Sequence, residues 1–395
     1  MKRSLVLLFA LLGCEGAHRD HAAAPDAGDV DAAGSGEITC EPSQCGATGC
    51  CGDHCCGVAP SNADVTGTIE PTGIAATPAD GIFDTDANCS PTSVLGRCEE
   101  VVRPGLPEAC VCRMDTLMIG ALEIKGTRAL VILAYDTVRI ETTLDISGDH
   151  RDAGAGAMPD VYTTTVGTHG GAGGSFATQG GRASGNPTSV AATYGDATLI
   201  PLHGGARGQS GWLPGGGGGG ALQIVAGSRI EVVGAIYAGG GGGEPGSSVQ
   251  HLAGGTGGGS GGAILLEAPI IVMTGRLDAN GGGGGGGGGN GNPPGSPWGE
   301  DANDDLPSGG HGYDGAGCAL QGYTSGGDGG NGATQQTAAG IGQASDTVGG
   351  CLDPHFVGGG GGGGGLGRIR INTVGGCQCS GTVSPSASFG ALVVQ

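Results

Sequence analysis

Ala221-Leu-Gln-Ile-Val-Ala226, a bend, then Ile230-Glu-Val-Val-Gly-Ala-Ile-Tyr-Ala238 is the stretch whose reading decides the fold. Leu222, Ile224, Ile230, Val232 and Ile236 fall on one face, with Gln223, Arg229 and Glu231 on the other. A period of two marks half-buried β-strands. The pattern recurs upstream as Ala129-Leu-Val-Ile-Leu-Ala134 followed by Val138-Arg-Ile-Glu-Thr-Thr-Leu-Asp-Ile-Ser147. There Val138, Ile140, Leu144 and Ile146 oppose Arg139, Glu141, Asp145 and Ser147. It recurs downstream as Ala263-Ile-Leu-Leu-Glu-Ala268, a bend at Pro269, and Ile271-Val-Met-Thr-Gly-Arg-Leu-Asp-Ala279. A half unit closes the series, Gly367-Arg-Ile-Arg-Ile-Asn372. The third unit is one residue shorter across its bend, and its apolar parity switches from Ile264 and Leu266 to Ile271, Met273 and Leu277. A one-residue slip turns a strand's whole face outward, so Pro269 reads as a corner that keeps the face inward.

Two strands, a corner, a glycine-rich exit and a similar pair predict an all-β fold. The expected architecture is a parallel β-helix-like solenoid with long polyglycine-rich loops, preceded by a small disulfide-rich knob. The alternative is an antiparallel β-sandwich with the glycine tracts as crossover loops. Like order and spacing favour the solenoid, in which Ile140, Val232 and their counterparts stack as inward ladders. The domain reading is a signal peptide over 1–13, a lipidated N-terminus and flexible tether over 14–39, a cysteine-rich region over 40–116 and the glycine-rich body over 117–395.

Glycine supplies 94 of the 395 residues. Tracts at 215–220, 239–243, 281–289 and 358–365 each abut a strand. They admit two readings. One is flexible loop, because glycine loses the most freedom on ordering. The other is extended helices of three residues per turn, packed side by side, which only glycine allows at so close an approach. Neighbouring chains would then satisfy each other's N–H and C=O groups, and interspersed polar residues would mark the outer face.

The N-terminus carries a short basic head, an apolar run and Leu11-Leu12-Gly13-Cys14. This resembles the lipobox of bacterial lipoproteins and implies export, cleavage before Cys14 and lipidation of that cysteine. Residues 15–36, rich in Ala, Asp and Gly, have too little apolar surface to order themselves. The other fourteen cysteines, Cys40, Cys45, Cys50, Cys51, Cys55, Cys56, Cys89, Cys98, Cys110, Cys112, Cys318, Cys351, Cys377 and Cys379, are disulfide candidates suited to an oxidising compartment. Cys318 with Cys351 and Cys377 with Cys379 are plausible bridges. The vicinal pairs among the first six depart from zinc-ligand spacing. The formal charge of −21 argues against nucleic acid and anionic lipid as partners.

The candidate chemistry is thin. Gly258-Gly-Ser260-Gly-Gly262 matches a nucleophile elbow, a match expected by chance in so glycine-rich a tract. Asp301, Asp304 and Asp305 form an oxygen-rich cluster that suits calcium, although it lacks EF-hand spacing. His150, His169, His203, His251, His311 and His355 lie in glycine-rich loops and read as solvated. Arg139, Arg229, Arg368 and Arg370 read as a polar sheet face that could engage an acidic sugar.

The segment Pro107-Glu-Ala-Cys-Val-Cys112, the repeated units and the closing Gly-rich Gly367-Arg-Ile-Arg-Ile-Asn372, together with the lipobox, resemble a group of glycine-rich predicted lipoproteins of myxobacteria and related bacteria. The resemblance covers most of residues 107–373. It implies an envelope-attached protein with a β-solenoid-like body and brings no assigned activity. Glu15 after the lipidated cysteine, in place of an inner-membrane Asp, favours the outer membrane over the inner. Two functions follow as expectations. The first is a structural, adhesive or glycan-binding envelope protein with no catalytic residues, partnered by the membrane through its lipid and by extracellular polysaccharide or envelope components. The second is a polysaccharide lyase or hydrolase, for which Asp145 and Asp278 hold matching places in two units.

Overall fold

The computed structural model describes residues 50–51, 54–55, 57–62, 69, 71–74, 79–159, 169–185, 190–210, 213–246, 254–288, 298–302, 326–344 and 358–395. Cys14, Cys40, Cys45, Cys56, Cys318, Cys351, Asp304 and Asp305 lie outside them. The fold is all-β, with no helix among the described residues.

Two large sheets share a core. The seven-stranded first sheet runs Ser388–Ala391, Arg368–Thr373, Ala263–Glu267, Ala221–Ala226, Ala129–Ala134, Ala109–Met114 and Arg97–Val101. Every neighbouring pair is parallel except the last, which is antiparallel. The nine-stranded second sheet is built on Thr137–Asp145. On one side of it lie Leu117–Lys125 and then Ala79–Asp84. On the other lie Arg229–Val232 with Ala235–Tyr237, then Ile270–Met273 with Arg276–Asp278, then Cys377–Cys379 with Thr382–Ser384. All these pairs are parallel, which overturns the antiparallel sandwich. Parallel pairing requires crossover connections, and the glycine-rich segments supply them.

Register explains the core. Cys110, Leu130, Leu222, Ile264 and Ile369 stand in one row across the first sheet. Val138, Ile230 and Ile271, and likewise Leu144, Ile236 and Leu277, stand in rows across the second. All eleven positions are buried in a single apolar cluster. Ala221 pairs with Ala263 but Ile230 with Ile271, so the chain is one residue shorter through the Pro269 corner, as its parity indicates. The ladder also begins earlier than residue 117. Ala109–Met114 and Leu117–Lys125 form a further pair of strands, whose inward positions are taken partly by Cys110 and Cys112 rather than by aliphatic residues.

The second sheet is half-buried, but the central strands of the first are buried on both faces. Its outer face, with Val131, Leu133, Val225 and Leu265, is covered by Phe176, Leu199, Leu202, Val58 and Leu392. On that face Gln223, Glu267 and Asn372 are buried and Arg368 and Arg370 are half-buried. Arg368 lies over the Phe176 ring, 5.3 Å from its centroid, and donates to the Tyr194 and Gly195 carbonyls. Gln223 and Glu267 belong to a buried network. Glu267 accepts from Gln223 Nε2 (2.6 Å), Asn372 Nδ2 (2.9 Å), the Ser61 amide (3.1 Å) and the Ser61 hydroxyl. Asn62 bonds Gln223 and the backbone of Leu199 and Leu202. Val58–Ala59 pairs antiparallel with Val393–Val394 above this network.

The glycine tracts are ordered, and their amides find partners with a period of three. Gly255, Gly258 and Gly261 donate to Gly359, Gly362 and Gly365. Thr256, Gly259 and Gly262 donate to Glu244, Gly241 and Ala238, and Gly257 and Ser260 to Gln209 and Ala206. Gly358, Gly361, Gly364 and Gly367 likewise donate to Gly288, Gly285, Gly282 and Ala279. Each turn of three residues thus bonds three different neighbours, which is the extended-helix reading and not the flexible loop. Glycine is required by the spacing, because a Cβ on Gly257 would fall on the Ala172 carbonyl. Asp328, Asn331 and Thr334, every third residue, lie toward the outside while Gly327, Gly330 and Ala333 are buried.

Three disulfides are formed among the described residues: Cys89–Cys110, Cys98–Cys112 and Cys377–Cys379. The first two lie in the core, where Cys98 sits directly opposite Cys112 across the antiparallel pair. Cys50 is aligned with Cys55 in a short antiparallel pair.

Candidate functional site

The turn at residues 148–153, Gly-Asp-His-Arg-Asp-Ala, leaves the strand Thr137–Asp145 and meets the glycine bundle. Asp149 shapes it. Its carboxylate accepts the amides of Arg151 (2.8 Å) and Asp152 (2.7 Å), and its own amide donates to the Asp152 carbonyl (2.9 Å). Such Asx turns hold a short loop without regular structure. Gly148 donates to Gly239, and Gly217 donates to Asp149, so the turn is bonded to the tracts at its base. The site is thereby positioned before any ligand arrives.

On one side of the turn opens a cleft of about 940 Å³. Glu108, Glu123, Asp145, Asp149 and Asp152 line it, against Lys125 and Arg207. Lys125 bonds Glu123 at 3.1 Å, and that bond with the charge of Glu123 holds its pKa above the ordinary lysine range, with smaller help from Asp149 and Asp152. The cleft is therefore an electronegative concavity.

The turn also carries an aromatic platform. Trp298 is 37% exposed. The His150 ring is tilted against it at 4.8 Å and the Arg151 guanidinium lies 5.4 Å from its ring centroid. Arg151 Nε also bonds the fully buried Glu244 at 2.6 Å. His150 Nδ1 lies 3.2 Å from the Gly242 carbonyl and 3.3 Å from Asp301. Cation–π contact and the ion pair fix the ring in one orientation. A held indole with flanking donors and acceptors can stack on an apolar ring face and hydrogen-bond its rim.

Among the residues singled out from sequence, Asp301 accepts from the Gly242 amide at 2.6 Å and so caps a glycine tract. Among the described residues only Cys98, Cys110 and Cys112 gather as a metal-ligand set would, and all three are in disulfides. Ser260 is buried, and its hydroxyl bonds the Ala206 backbone. His203 is buried rather than solvated, packed edge-on against Phe176 and Tyr194, and desolvation foremost lowers its pKa. Arg139 lies on the open face of the second sheet, bonded to Glu141 and Glu231.

Asp145 and Asp278 do share a row, Glu123–Asp145–Tyr237–Asp278–Ser384, with Tyr237 between them. Only Asp145 lines the cleft. Asp278 is buried, bonded to Arg276 at 2.6 Å, and burial pushes its pKa up from 3.8 to about 6. The folded state thus holds a proton there that the unfolded chain has released. This group's contribution to stability is largest below about pH 4 and is lost as pH rises through about 6. Urea unfolding between those values should show that decline, and Asp278→Asn should flatten it. An unchanged slope in the variant would assign the dependence elsewhere.

The Trp298 platform and Glu123 carried no sequence motif. The one signal available was a tryptophan in a chain with only two. Comparison with family models, curated proteins and solved structures finds no match to this chain.

Proposed function

We propose that this chain is an exported envelope protein, held by lipid on Cys14 to the outer rather than the inner membrane, with a β-helix-like solenoid body that binds glycan at the turn of residues 148–153. The in-register rows of parallel strands support the solenoid, since each pair of strands buries its face only by stacking on the next. The single observation that carries the binding role is the fixed Trp298 platform set beside a preformed cleft on one rigid turn. Indole faces stack on sugar C–H surfaces, and the surrounding carboxylates and amides can hydrogen-bond hydroxyls. The cleft's five carboxylates disfavour acidic polysaccharides and suit neutral or amine-bearing ones.

A panel of neutral, amine-bearing and acidic polysaccharides tests this by retention and by product analysis. Retention of a neutral or amine-bearing glycan without products is the expected result. Trp298→Ala should weaken it by roughly tenfold or more, the loss of one aromatic anchor. Full retention by the variant would remove the platform from the account. The second reading, a polysaccharide-degrading enzyme, draws on the row that places Asp145 in the cleft and a raised-pKa Asp278 two strands away. Depolymerisation abolished by Asp145→Asn would favour it.

A further inference from the structure

Glu244 follows the glycine tract 239–243 and is fully buried. Thr256 holds its backbone twice: the Glu244 amide donates to the Thr256 hydroxyl (2.7 Å), and its carbonyl accepts from the Thr256 amide (2.8 Å). One carboxylate oxygen accepts from Arg151 Nε at 2.6 Å. The other, Oε2, is buried and has no hydrogen-bond partner among the described residues. A buried carboxylate needs a cation and a full set of donors, and here half of its acceptor capacity is unused. The cation it has comes from the solvent side. The Arg151 side chain is 62% exposed, against 0% for Glu244. The same guanidinium lies over the Trp298 ring. The ring does not depend on it alone, because His150 packs against the indole at 4.8 Å. The backbone that carries Trp298 is also bonded to the tract beneath, Gly299 donating to Gly243 and Ala302 to Gly240. A rigid pair of buried carboxylate and indole is thus filled by an exposed arginine of the chain itself.

We infer that Arg151 is a displaceable internal ligand, and that the ammonium of an amine-bearing sugar takes its place between Glu244 and Trp298. The inference rests on the glycan-binding reading and narrows it to amine-bearing sugars. Carboxylate and aromatic face together recognise a cation, as Arg151 itself demonstrates. An ammonium has three donors, so it can bond Oε1 and the unused Oε2 of Glu244 at once. A pyranose carries that amine directly on a rigid ring, whose C–H face can stack on the indole. A lysine amine ends a flexible chain and loses more freedom on binding. A neutral or N-acetylated sugar brings no charge to Glu244, and displacing Arg151 would leave a buried carboxylate unpaired. Once displaced, Arg151 enters solvent between Asp149 and Asp152, both exposed. Arg151 therefore competes with the ligand and excludes sugars that lack an amine.

Binding of soluble glucosamine oligomers and of their N-acetylated forms to the full chain tests this. The amine form should bind roughly tenfold or more tightly than the acetylated form. Glu244→Gln keeps the side-chain shape and should abolish that preference. Arg151→Ala removes the competitor and should bind the amine form more tightly than the wild type. This variant leaves Glu244 unpaired, so its thermal midpoint should be low and should rise with glucosamine but not with glucose or N-acetylglucosamine. Should Arg151→Ala fail to fold, Glu244→Gln still decides the matter. Equal affinity for the two oligomers, or an amine preference that survives Glu244→Gln, would overturn the inference while glycan binding stands. Polylysine bound in preference to either oligomer would overturn the sugar as occupant. Recovery of Arg151→Ala by glucosamine, with no oligomer or polysaccharide bound by the wild type, would support the amine site at Glu244 and sink the glycan-binding reading.

Discussion

Gly257→Ala should destabilise the protein by about 3 kcal/mol or more, although it adds a single methyl group. Gly257 is buried, its amide donates to Gln209 and its carbonyl accepts from Gly216. The added Cβ would strike the Ala172 carbonyl and come within 2.9 Å of the Gly173 amide nitrogen. Both obstacles are backbone, so no side chain can rotate aside. Relief requires separating two extended helices, which breaks the hydrogen bonds that register them. In thermal unfolding the midpoint should fall by roughly 4 °C or more. Gly375→Ala is the control. Nothing lies within 4 Å of a Cβ there, and its effect should stay within about 0.5 kcal/mol. Equal effects at the two positions would mean that the close packing of the tracts is not what glycine provides.

The second large effect is expected at Glu267. It is 0% exposed and is the acceptor on which Gln223, Asn372 and Ser61 converge. Glu267→Ala leaves the buried Gln223 Nε2 without an acceptor, takes one of two acceptors from Asn372 Nδ2 and frees the half-buried Ser61, so a loss of about 2–3 kcal/mol is expected. Ser61 and Asn62 belong to the segment that lies over the first sheet, and Val58–Ala59 holds Val393–Val394. Protease cleavage near residues 57–62 should therefore accelerate in the variant. Glu267→Gln keeps the shape and one acceptor, and should cost less. Urea unfolding with limited proteolysis checks both. A loss under about 1 kcal/mol would mean the network is spectator polarity on an apolar contact.

How much of this was legible depended on whether one face of a strand meets water. Val138, Ile140, Leu144 and Ile146 alternate with exposed or half-exposed residues, so their pattern announced a strand and its inward face. The corner at Pro269 was equally readable, because parity allows only one inward solution. The first sheet was harder. Covered on both faces, it places Val131, Leu133 and Gln223 where alternation implied solvent, and the covering Phe176, Leu199 and Leu202 come from irregular segments with no periodicity. Cysteines at 110 and 112 obscured the earliest rung. The glycine tracts have no side chains to pattern. Their one written clue was the three-residue spacing of Asp328, Asn331 and Thr334 in the outermost tract.

The site was the least legible part. Asp145 was visible as an outward carboxylate, but its cleft is assembled from segments spread between residues 105 and 207. Trp298 acquires meaning only through His150 and Arg151, which the glycine bundle brings beneath it. Of the acidic cluster at 301–305 only Asp301 lies among the described residues, where it accepts from the Gly242 amide.

Amide hydrogen exchange of the glycine tracts tests the central claim most directly. If residues 254–262 and 358–367 are hydrogen-bonded helices locked between neighbours, their amides should be protected to the same degree as those of Ala221–Ala226, and all should exchange together on global unfolding. Exchange of those glycines at the rate of an unstructured peptide, while the strands stay protected, would contradict it.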